Sequence, residues 1–153
     1  MKLTVETLGK YLKTILIIAF ILYIPCIIIT PYLLKHNISI IYSSIIIYPN
    51  GVLFSLIVIN FIKLFTYLEK ENPFTKEVTQ ILINTSIISF IISLVILIDL
   101  LLMIFIFKNT YINYVMFLFF LFILFFGVGI ALYILSILFK RAKEYKEENE
   151  LTI

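Results

Sequence analysis

The sequence predicts an all-α integral membrane protein, a four-helix bundle with N- and C-termini in the cytoplasm, and three observations carry that expectation. Hydrophobic residues make up 63% of the chain and its mean hydropathy is +1.15, against an apolar share of about 45–50% in soluble domains. Four apolar runs recur along the 153 residues, and a bilayer crossing takes about 20 residues. The cations gather at alternate ends of these runs. Lys2, Lys10, Lys13, Lys63, Lys70, Lys76, Lys140, Arg141, Lys143 and Lys146 fall on one side, and Lys35 and Lys108 on the other. The positive-inside rule then puts both termini and the central polar interval in the cytoplasm. Four spans leave no room for a separate soluble domain, so a single domain 1–153 is expected. Its spans lie at about 14–33, 52–68, 80–107 and 111–139, followed by a short tail, 140–153.

The first span follows a basic flank and is read as retained. Its apolar part is too long for a signal peptide, no small-x-small cleavage site follows, and Pro25 precedes Cys26 where a lipoprotein site needs a small residue. Pro25 withholds a backbone donor deep in the span, so a packing kink is expected, with the freed carbonyl served by Thr30 or another helix. Cys26 is the one cysteine, which excludes an intrachain disulfide and a cysteine-cluster metal site.

Lys35 to Gly51 is β-branched, broken by serines and closed by Pro49-Asn50-Gly51, a turn signal. A compact loop at the outer interface is predicted there, with Tyr42 and Tyr48 at headgroup level, before a second span from about Val52. His36 is the single histidine and lacks companions for a metal site or a triad. Asn37-Ile38-Ser39 matches a glycosylation sequon, a weak signal. Lys63 lies in the last turns of span two and is expected to snorkel toward the cytoplasm.

The polar interval Thr66 to Gln80 divides the chain into two hydrophobic hairpins. Asn72 is a good N-cap and Pro73 is tolerated at the first helical position, so a third helix is predicted from Pro73 to Phe107. At 1.5 Å per residue it is about 50 Å long, more than the hydrocarbon core, and must project or tilt. Lys108-Asn109-Thr110 makes an outer turn. The fourth span is rich in phenylalanine and carries Gly127 and Ala131, a small-xxx-small pair that suits close helix packing inside the bundle or in a dimer.

Asp99 is the intramembrane polar candidate, the one carboxylate within a span, roughly 12 Å from the outer end of helix three. At its level stand Tyr23, Cys26, Thr30, Ser55 and Tyr114, all neutral. Two states are open: a protonated Asp99 donating to a hydroxyl, or a charged one served by water, an ion or a second chain. Ser86, Ser89 and Ser93 share a helical face in the cytoplasmic half of the same span, where hydroxyls glue helices together or, in the alternative, line a water path. The tail leaves the membrane basic and ends acidic. Glu144, Glu147, Glu148 and Glu150 oppose the helix dipole, so fraying is expected near Asn149.

Two stretches together have a likeness. Asn72-Pro73-Phe74 with the polar turn into a long apolar helix, and the ending Lys143 to Ile153, resemble the small bacterial membrane proteins grouped as domain of unknown function 2975. Glu148-Asn149-Glu150-Leu151-Thr152-Ile153 is the more specific part. The resemblance covers essentially the whole chain and implies four spans, no established enzymatic activity, and frequent gene neighbours encoding a small Cro-type helix-turn-helix regulator.

The leading expectation is a non-enzymatic, multi-pass protein of the bacterial cell membrane. Its cytoplasmic face, Glu69 to Glu77 with Lys143 to Ile153, would bind or sequester such a regulator, with Asn72, Pro73, Phe74 and Glu148 to Ile153 as contact residues. No paired acid and base, nucleophile with base, or metal-ligand set is visible, so no catalytic residue, metal or cofactor is expected. The net charge of +3 and the pI near 8.9 are explained by topology rather than by direct nucleic-acid binding. A small proton- or cation-coupled transporter using Asp99 is one alternative, and a homo-oligomer is compatible with it. Another is an immunity or envelope-stress protein that meets a peptide through His36 to Asn50.

Overall fold

The computed structural model describes residues 5–33, 40–68, 75–106 and 112–151, which form four α-helices: α1 (Val5–Leu33), α2 (Ile40–Leu68), α3 (Lys76–Ile106) and α4 (Ile112–Leu151). Each contains a stretch long and apolar enough to cross a membrane. Isoleucine-rich runs are modest helix formers in water. In hydrocarbon, however, a helix is the single-segment solution that pairs every backbone donor and acceptor, and that requirement outweighs propensity.

The helices run up and down in sequence order. Tyr23 meets Phe54 while Ile27 lies over Gly51, Asn50 meets Asp99, and Ser86 meets Gly129 while Phe90 meets Phe126. Between neighbouring helices a step forward along one is a step back along the next, as Asn50 with Asp99 and Leu64 with Val78 show for α2 and α3. α3 is the central element, packed between α2 and α4, whereas α1 packs on α2 alone among the described residues. Two core layers sit along α3. One gathers Ile57, Ile92, Ile96, Leu100, Met103 and Leu118. The other, at the end carrying the start of α3, gathers Leu64, Val78, Leu82 and Leu132. Lipid tails are as apolar as these side chains, so the layers cohere through van der Waals contact and interhelical hydrogen bonds rather than through escape from water.

Three boundaries differ from the sequence-based expectation. α2 begins at Ile40, not near Val52, and Pro49, Asn50 and Gly51 lie inside it. A Pro-Asn-Gly turn signal is calibrated on chains in water. Proline and glycine are tolerated inside a membrane helix, and here the Gly51 carbonyl also accepts from Ser55 Oγ at 2.8 Å and from the Tyr23 hydroxyl at 3.5 Å. α3 begins at Lys76 rather than Pro73. Its cap is Thr75, whose Oγ1 accepts from the Val78 amide at 3.4 Å; Asn72, Pro73 and Phe74 lie outside the described residues. α4 stays helical past Asn149 to Leu151, with a Lys143–Glu147 pair at 3.3 Å one turn apart on its polar extension. His36, the Asn37 to Ser39 sequon and the Lys108 to Thr110 turn also lie outside the described residues.

Candidate functional site

The site grows from one face of α3. Ile92, Ile96, Asp99 and Met103 follow one another at helical spacing, and all four are buried, Asp99 at 6% exposure. A carboxyl group so enclosed needs a hydrogen-bond partner. Asn50 supplies it from α2, donating its Nδ2–H to Asp99 Oδ2 at 2.8 Å. Tyr23, Ser55 and Thr30, the described hydroxyls expected at this level, bond elsewhere. Tyr23 and Ser55 both donate to the Gly51 carbonyl, and Thr30 donates to the carbonyl of Cys26 on its own helix at 2.6 Å. Thr30 therefore does not serve the carbonyl that Pro25 frees. The Tyr114 side chain lies outside the described residues.

Asn50 also borders a cavity of about 370 Å³ that draws on all four helices, with Tyr23, Cys26 and Thr30 on α1, Phe54 on α2, Ile92 and Ile96 on α3, and Phe125 on α4. Its lining is apolar and aromatic with a few polar groups, and its size falls in the range of about 300–1,000 Å³ common to ligand pockets. Gly51 makes the narrow wall. A Cβ there would come within 2.9 Å of the Ile27 side chain, so glycine lets α1 and α2 approach. Tyr23, Phe54 and Phe125 continue the wall through successive edge-on ring contacts.

Of the three buried serines expected to glue helices, Ser86 makes a bond between helices and the other two make bonds within α3. Ser86 donates across to the Gly129 carbonyl of α4 at 2.8 Å, while Ser89 and Ser93 donate to Thr85 and Phe90 carbonyls on their own helix. The close approach on α4 is at Gly129, which is buried against Phe90. Gly127 and Ala131 are exposed, and nothing lies within 4 Å of a Cβ placed on Gly127. The internal contact therefore runs through the glycine between them. Pro25 lies exposed within α1.

At the opposite end from Asp99, the start of α3 packs on α4 through Val78, Leu82, Leu132 and Phe139, and its own backbone and Thr75 hydrogen bonds, with Lys143 and Lys76 after them, hold the Glu77 carboxyl below its ordinary range. Residues 5–153 match the family described as Protein of unknown function (DUF2975). The chain belongs to that family. No curated protein and no solved structure matches it. On this DUF2975 chain, Glu148 is exposed on α4, and Asn149, Glu150 and Leu151 belong to its final helical residues. Thr152 and Ile153 lie outside the described residues. Among the described residues no group of three or more His, Cys, Asp or Glu side chains could hold a metal ion.

Sequence reasoning missed Asn50, Gly51, Thr75 and Gly129. A usable signal existed for Asn50: in a chain this apolar, an amide among isoleucines at the depth of Asp99 is its natural partner. The Gly129 contact had no such signal, because α4 is apolar on every side.

Proposed function

We propose that this DUF2975 protein is a non-enzymatic, multi-pass protein of a bacterial cell membrane that binds, and so sequesters, a small helix-turn-helix transcription regulator on its cytoplasmic side. The observation that carries the reading is the unbroken course of α4 from its apolar span through Lys140 to Leu151. Lys140, Arg141, Glu144, Tyr145, Lys146, Glu147 and Glu148 are exposed along that extension, which gives a rigid polar rod rather than a loose tail. A preformed helix loses little conformational entropy on binding, which favours a docking role. The charge bias of the chain supports placing this end in the cytoplasm.

Deleting Lys143 to Ile153 should change transcription from the regulator's target promoter while the protein stays in the membrane at normal abundance. Unchanged transcription with the truncated protein present would remove this reading. A second reading, proton- or cation-coupled transport, is favoured by the buried Asp99 and its bond to Asn50 at the edge of a cavity, because ionisable groups at such depth commonly serve permeation. It expects Asp99→Asn to abolish a pH-dependent flux across vesicles, and flux at the wild-type level would exclude it.

A further inference from the structure

A second cavity, of about 600 Å³, opens where the end of α2 meets the start of α3. It is lined by Lys63 and Tyr67 on one helix and by Lys76, Glu77, Gln80 and Ile81 on the other. Both lysines are exposed, and they stand on different helices yet border one space. The cavity sits beside the Leu64, Val78 and Leu82 layer, at the level where an apolar span gives way to water. A lysine stem can lie along apolar surface there while its ammonium reaches the headgroups. Among the described residues that line the opening, the two lysines face a single carboxylate, Glu77.

The faces that lead away from the cavity are apolar and exposed. From Lys63, Ile59, Leu56 and Val52 continue at helical spacing along α2, and from Gln80, Ile87, Ile91 and Leu94 continue along α3 on the far side of Asn84. A ligand with a phosphate in the cavity and two hydrocarbon chains would find both halves of its surface matched. We propose that this cavity binds the phosphate of an anionic phospholipid, with Lys63 and Lys76 as its charge partners, Tyr67 and Gln80 as hydrogen-bonding side chains, and the exposed stripes of α2 and α3 carrying the acyl chains. The shared chemistry is phosphate recognition, and the apolar stripes select the lipid over the free ion. Basic pockets between membrane helices recognise anionic headgroups in this way. The inference needs only that the helices span a bilayer and is independent of any regulator.

The test is native mass spectrometry of the full chain released from nanodiscs containing equal phosphatidylglycerol and phosphatidylcholine. Wild type should retain phosphatidylglycerol preferentially, and the Lys63→Gln/Lys76→Gln variant should lose that preference by about thirtyfold, as two lysines near a headgroup imply. Lys140→Gln, a basic residue outside the cavity, should leave it within about twofold. Glu77→Gln keeps both lysines and should sharpen the preference about fivefold, an arm that survives even if the double variant fails to fold. Millimolar inorganic phosphate should not displace the lipid. Equal retention of the two lipids by wild type, an unchanged preference in a folded double variant, a weaker preference in Glu77→Gln, or displacement by inorganic phosphate would each overturn the proposal.

Discussion

α1 and α3 are both apolar enough to cross a membrane, yet none of the apolar window of α1 is buried and 39% of that of α3 is. α3 packs against two neighbours and α1 against one. Hydrocarbon content cannot produce that difference, since an isoleucine is about as well placed against lipid as against protein. The small and polar residues do. α3 carries Thr85, Ser86, Ser89, Ser93 and Asp99, all buried, and each would be costly facing lipid without a partner. α1 has Tyr23, Cys26 and Thr30 on the side that borders the cavity, and its other apolar residues are mostly exposed isoleucines and leucines. On α3 the buried face from Thr85 to Asp99 is thus marked by polar side chains, the reverse of the pattern in soluble proteins.

The contrast can be broken most strongly at Leu82, fully buried between α2, α3 and α4. Leu82→Ala should cost about 2–4 kcal/mol through weakened packing and the void it leaves, read as a lowered unfolding midpoint in detergent titration. Next comes Gly129→Val. A Cβ at this position already lies 3.0 Å from the Phe90 ring, and the branched side chain should cost about 1–3 kcal/mol by forcing α3 and α4 apart. A crystal or cryo-EM structure of the variant should show the Phe90 and Phe126 rings separated. Asn50→Ala leaves Asp99 without its donor and should cost about 1–3 kcal/mol, whereas Asn50→Ala with Asp99→Leu removes both partners and should recover most of that. A double-mutant cycle measures the recovery, and strict additivity would mean that the pair does not hold α2 to α3. The smallest effect belongs to α1: Ile21, 62% exposed, should tolerate alanine within about 0.5 kcal/mol. A destabilisation as large as that of Leu82→Ala would mean that α1 is covered by a partner.

The legible part of this molecule is what the bilayer imposes. Four helices and the division at the central polar interval follow from hydropathy, and the need of Asp99 for a partner from the cost of burying a carboxyl group. Facing was not legible, because helices apolar on all sides carry no periodic stripe to show which residues turn inward. Gly129 and Gly127 look alike in sequence, and only the register against Phe90 separates them. Asn50 was hidden by Pro49 and Gly51, whose turn preference belongs to water, and Thr75 was hidden behind the equally plausible cap Asn72. Five of the nine expected contact residues, Asn72 to Phe74 with Thr152 and Ile153, lie outside the described residues, while the α4 helix that would carry the rest is continuous.

Copurification from the protein's own membranes in mild detergent, comparing the full chain, the chain lacking Lys143 to Ile153 and the Ile21→Ala chain, tests the proposed function most directly. The account expects a helix-turn-helix protein to accompany the full chain and the Ile21→Ala chain and to be absent from the truncated one. Recovery of the same protein with the truncated chain, or of no soluble protein with any of the three, would contradict it.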